Sequence, residues 1–188
     1  MEGGADMPVI IDDLQRDHRN MRALLDIIEE ELEVLRSRRA PDFDLLGMIM
    51  EYTLNYPQMV HHPREDALFR RLKERDPNAA AGVGDLVREH VILAELTQHF
   101  AAAISNIARG VGLERERFDA LARDYVARNR AHMQSEEHDF FPCALAVLTD
   151  QDWAELEAGR AAGGDPVFGE KVAAAYERLF QRILKLHL

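Results

Sequence analysis

Four times along this chain, a stripe of apolar residues with the period of an α-helix runs straight through a histidine. Leu14, His18, Met21, Leu25, Ile28, Leu32 and Leu35 form the first stripe, and Met50, Leu54, His61, Glu65, Leu68 and Leu72 the second. Leu86, His90, Leu93, Thr97, Phe100 and Ile104 form the third; Phe118, Leu121, Tyr125, Asn129, His132, Glu136 and Phe140 form the fourth. Steps of mostly three and four place such residues on one face of a helix, the face that seeks a core. A chain with four such stripes packs helix on helix, and it must satisfy the polar groups it buries in doing so.

The expected helices run from about Ile10 to Ser37, Phe43 to Arg75, Asp85 to Arg109 and Glu114 to Val147. Pro41 marks the first connection, and Asp42 is placed to cap the second helix. Pro57 and Pro63 each remove a backbone donor. The second helix is therefore expected either to kink or open beside His61, or to break near 56–58. Asp76 to Gly84 reads as a loop, and Gly110-Val111-Gly112 as a helix end. Long helices with short connections predict an all-α, up-down-up-down four-helix bundle over residues 1–148. Residues 149–188 are expected to form a C-terminal helical appendage that packs on the bundle or mediates self-association as a homodimer. It would hold a short helix from Asp150 to Ala158, a flexible break at Gly159 to Gly164 and an amphipathic helix from Val167 to Leu188. His187 is expected to be an inert surface residue.

His61 and Glu65, and again His132 and Glu136, are four residues apart. At that spacing on a helix, two side chains lie about 40° apart and one turn along, so an imidazole and a carboxylate can reach one point. Those are the donors of a borderline transition metal such as iron, zinc or manganese. His18 precedes His61 by 43 residues and His90 precedes His132 by 42, so the chain reads as two helical hairpins with matching chemistry. In an antiparallel bundle the four histidines fall towards one end of the core.

An unpaired buried polar group costs on the order of 1–3 kcal/mol, and an ionised carboxylate far more, against a net domain stability of about 5–15 kcal/mol. Internal His–Glu hydrogen bonds could satisfy any one pair. For all six residues together, two cations with carboxylate and solvent-derived bridges and an open coordination position fit better, since six ligands exceed what one zinc needs. His62, His99 and His138 fall off the stripes. His62 and Asp66 share the four-residue spacing, but His62 is rotated about 100° from the seam. Glu137, five after His132, competes with Glu136. Tyr52, Tyr56 and Tyr125 read as core packing, with a redox or supporting role beside the metal as the alternative.

The formal net charge of −11 argues against a nucleic-acid partner. Cys143 is the sole cysteine, which excludes an intrachain disulfide and a thiolate metal cluster. The N-terminus lacks the basic and apolar regions of a signal peptide, and no uninterrupted apolar run reaches membrane-spanning length. A cytoplasmic protein without a membrane partner is the expectation.

Asp17-His18-Arg19, His61-His62-Pro63-Arg64-Glu65-Asp66, Glu89-His90 and the run from His132 to Pro142 together resemble the haemerythrin-like, or HHE cation-binding, domain family, over roughly residues 10–148. The resemblance implies a non-haem di-iron centre, two iron ions bridged by the glutamates and an oxo or hydroxo group. Its ligands would be His18, His61, Glu65, His90, His132 and Glu136, with zinc or manganese as possible substitutes. Oxygen-carrying members have a further third-helix histidine where this chain has Ala94, and a final Asp five residues after its histidine. The chain is closer to the branch with four histidines and two glutamates, which includes iron-sensing domains. The function implied is binding or sensing of a small diatomic ligand or oxidant (dioxygen, nitric oxide or peroxide), or iron handling. A di-iron enzyme acting on peroxide or nitric oxide or in iron–sulfur repair, and a metal-stapled interaction bundle, are the alternatives.

Overall fold

A computed structural model describes residues 7–159, 165–169 and 171–186. Beyond Gly159, the expected flexible break lies outside the described residues, as does His187. Among the described residues there is no strand. Helix α1 spans Val9–Arg36. Helix α2 (Phe43–Tyr56) runs through a π-helical turn, Pro57–His61, into α3 (His62–Arg75). The short α4 (Pro77–Val83) leads to α5 (Leu86–Ala108). Helix α6 (Arg115–Ser135) passes through a second π-helical turn, Glu136–Phe140, into α7 (Phe141–Val147). Helices α8 (Asp150–Ala158) and α9 (Glu177–Leu186) follow, the latter after a 3-10 turn at Ala174–Tyr176.

The two π turns have a common cause. Each ends two residues before a proline, Pro63 or Pro142. Inside a helix a proline ring collides with the carbonyl four residues back and leaves it without a donor. One extra residue in the preceding turn relieves both faults. The His62 N–H donates to the Pro57 carbonyl and the Phe141 N–H to that of Glu136, five residues back in each case. The second rod is thus continuous through its prolines and does not break near 56–58.

Two other expectations need correcting. The stretch from Asp76 to Gly84 is not a loop but contains α4, because the Asp76 side chain accepts the Asn78 and Ala79 N–H groups and Pro77 starts the helix with φ already set. The expected helix from Val167 to Leu188 is α-helical only over Glu177–Leu186. Its beginning is a turn in which Asp165 accepts the Val167 and Phe168 N–H groups. Asp42 caps α2 by accepting from Leu45 N–H, as its position predicts.

Helix α1 packs on α6, α2 on α5, α5 on α6, and α3 on α5 and α7, while α8 rests on α1 and α3 and α9 on α2. Arg182 of α9 reaches Asp42, and Arg71 and Arg75 of α3 hold the buried Asp152 of α8. By length and composition Pro77–Ala108 could span a bilayer. Gly84, at φ 101°, interrupts it, and Leu86, Leu93, Phe100 and Ile104 are buried. The apolar interior forms two clusters. The larger, with Leu25, Ile28, Ile49, Phe100 and Tyr125, fills one end; the smaller, with Ile11, Leu14, Leu68, Phe140 and Phe141, fills the other. The histidines and glutamates of the four stripes fall between the two.

Candidate metal centre

His18 comes from α1, His61 and Glu65 from the rod α2–α3, His90 from α5, and His132 and Glu136 from the rod α6–α7. All six are buried. Glu65 Oε1 lies 3.3 Å from His18 Nε2 and 3.1 Å from His61 Nε2, and its Oε2 lies 3.4 Å from His90 Nε2. Glu136 Oε1 lies 3.2 Å from His132 Nε2 and 3.5 Å from His90 Nε2, while its Oε2 lies 3.3 Å from His18 Nε2. Each carboxylate therefore turns one oxygen towards the His18 side and the other towards the His90 side.

The outward face of every imidazole is also occupied. Nδ1 of His18 is 3.0 Å from Glu137, that of His61 3.2 Å from Asp17, that of His90 2.8 Å from Asp66 and that of His132 3.1 Å from Glu89. A carboxylate at Nδ1 keeps the proton there and aims the Nε2 lone pair inward. The inner contacts are consequently close without being hydrogen bonds. His18, His90 and His132 Nε2 and both oxygens of Glu65 and Glu136 are buried with no hydrogen-bond partner. At about 1–3 kcal/mol each, leaving them so would consume most of a domain's stability. Lone pairs facing lone pairs across about 3 Å, nitrogen and carboxylate oxygen mixed, are what a cation between them would satisfy.

Protonation is the substitute when no cation is present. Burial alone would lower the His90 pKa, but its bonds to Asp66, Glu136 and Glu65 outweigh this and push it up to about 11. His18 is raised for the same reason, by Glu136, Glu137 and Glu65 against its burial. Burial opposes ionisation of Glu65, yet His61, His18 and His90 hold its carboxyl well below the usual range. The centre demands positive charge and will take it from protons if metal is withheld.

Four residues around the centre were present in the motifs without a role being assigned. Asp17 and Glu89 each precede the first histidine of a hairpin and serve the histidine of that hairpin's second rod, His61 and His132. Asp66 and Glu137 each follow a glutamate of the centre and serve the first histidine of the other hairpin, His90 and His18. A carboxylate beside each candidate ligand was the available signal. Glu137 is thus not directed at the centre. It also takes a two-pronged ion pair from Arg22, at 2.9 and 2.7 Å, and despite partial burial its pKa falls to about 2 under His18 and Arg22.

His62 is the residue that periodicity misplaces. The extra residue of the π turn rotates it inward, and its ring stacks on His90 with centroids 4.2 Å apart and planes 11° apart. Burial and the neighbouring His90 hold its pKa well below the ordinary value, so it is a neutral imidazole. His99 and His138 are not in the centre; His138 Nδ1 pairs with the Gln134 carbonyl. Tyr52, Tyr56 and Tyr125 are buried, as expected of packing residues. Tyr56 also donates to Asp17, and Tyr52 to Asp165.

The family profile described as Hemerythrin HHE cation binding domain matches residues 9–144. The chain belongs to this family. As a haemerythrin-type protein it is metal-binding, with iron the implied metal, and its buried His/Glu groups fit such a site. No curated protein and no solved structure matches it. The matched span stops inside α7, before α8 and the tail.

Proposed function

We propose that this haemerythrin-type protein holds two iron ions side by side, bridged by Glu65 and Glu136. His18 and His61 complete one position, and His90 and His132 the other. The observation that carries this reading is the division of the carboxylate oxygens, one from each glutamate beside each histidine pair. Bound iron would supply a redox couple and a coordination position for a small molecule. The residues' part is to fix imidazole direction through Asp17, Asp66, Glu89 and Glu137 and to exclude bulk water with the two apolar clusters.

The reading extends to a cytoplasmic protein that binds or senses dioxygen, nitric oxide or peroxide, or handles iron. A cleft of about 310 Å³ between α5 and α6, with Glu89 and His132 in its wall, offers such a molecule a route. The four rods are read as an up-down-up-down bundle over 1–148, with 149–188 as an appendage and α9 as the candidate homodimer contact. Zinc or manganese would occupy the same donors. The test is metal analysis and optical spectroscopy of protein purified without added metal. Two ions per chain and an oxygen-sensitive band in the iron-loaded protein are expected, and nearly all metal is lost in the double variant His61→Ala plus His132→Ala. A colourless protein unable to hold iron, or two ions retained by the double variant, would refute the assignment.

A further inference from the structure

One buried imidazole nitrogen near the centre belongs to none of the six assigned residues. His62 Nδ1 has no hydrogen-bond partner. A ring nitrogen of His62 and one donor atom each of Glu65, His90 and His132 all lie within 4.8 Å of one another. The ring stacks on His90 and meets His132 edge-on, with centroids 6.0 Å apart. Stacking explains the ring plane but not the nitrogen, because an orphaned ring nitrogen in the interior costs about 1–3 kcal/mol. Two imidazoles with near-parallel planes can present their nitrogens side by side to one ion.

We propose that His62 is a further metal ligand, joining His90 and His132 at the same ion. The proposal rests on the reading that the centre holds paired cations, and it makes the two positions unequal. Three imidazoles serve one ion, while His18 and His61 serve the other and leave it room for solvent or a small exogenous molecule. His62 reaches the centre only because the Pro57–His61 π turn rotates it inward, so the irregular turn has a ligand to deliver.

Cobalt(II) is the probe, titrated into wild type and His62→Asn with optical bands and paramagnetic proton NMR as readouts. Wild type is expected to take two ions. His62→Asn should keep one at wild-type affinity and lose more than about 100-fold for the other, beyond the 10–100-fold cost of removing an outer hydrogen-bonding partner. One hyperfine-shifted imidazole N–H resonance should also vanish. Two ions bound to His62→Asn with every imidazole resonance retained would overturn the His62 assignment and leave the paired centre standing. Wild type binding fewer than two ions would overturn the parent reading. Circular dichroism checks folding; should His62→Asn not fold, His62→Gln is judged by the same criteria.

Discussion

Removing the metal should invert the way stability depends on pH. In the stripped protein His90 has a pKa near 11, against about 6.5 when unfolded. Between those values the folded chain holds a proton that the unfolded chain has released. The resulting stabilisation is complete below about pH 6.5 and is lost as pH rises towards about 11. The slope for one such group is about −1.4 kcal/mol per pH unit, so raising pH from about 7 to about 8.5 should cost roughly 2 kcal/mol from His90 alone. His18, raised in the same direction, adds to this. In the zinc-loaded protein the imidazole nitrogens are occupied by metal, and ligation displaces protons, so stability should stay level or rise over the same range. Urea unfolding of chelated and zinc-loaded protein at the two pH values measures both slopes. Parallel slopes, or a stripped protein that gains stability with rising pH, would mean that no charge-hungry cluster lies between the apolar layers.

Other consequences are local. Asp165→Ala removes the acceptor of Asn20, Tyr52 and the Val167 and Phe168 N–H groups. It should cost about 3 kcal/mol, a fall of roughly 6–12 °C in Tm by calorimetry, with metal content retained. Glu137→Gln breaks the Arg22 pair and weakens the hold on His18 Nδ1, so competitive chelation should report metal affinity lower by about 10-fold with both ions still bound at saturation.

What the sequence disclosed, and what it hid, divides at the π turns. The stripes through His18 and His90 lie on regular helices, and ordinary periodicity put both residues in the core. His61 and Glu65 follow or end a π turn, and His132 precedes the other, so four-residue spacing still brought each pair together. His62 was misplaced because a constant 100° per residue cannot represent one inserted residue, which turns everything after it by about that angle. Both prolines were visible, but a proline alone does not say whether a helix breaks, bends or widens; the packing of α3 on α5 and α7 decides that. The choice between Glu136 and Glu137 was likewise beyond periodicity, since Arg22, distant in sequence, is what holds Glu137 outward.

The outer carboxylates carry the argument one step further. Asp17 and Glu89 occupy equivalent places in the two hairpins, as do Asp66 and Glu137, and the contacts cross so that each hairpin orients a histidine of the other. The centre therefore forms only when both hairpins have docked. Neither hairpin alone has the donors to direct its own first histidine, and each contributes just one carboxylate to the middle. The pattern is not wholly symmetric. Pro63 falls between His61 and Glu65, whereas Pro142 falls beyond Glu136, so the π turn precedes the first glutamate and begins at the second. That offset turns His62 inward with no counterpart in the second hairpin, where residue 133 is Met133, packed in the larger apolar cluster. Two hairpins alike in their ligands thus yield two unlike halves of one centre, and the difference follows from where a single proline sits.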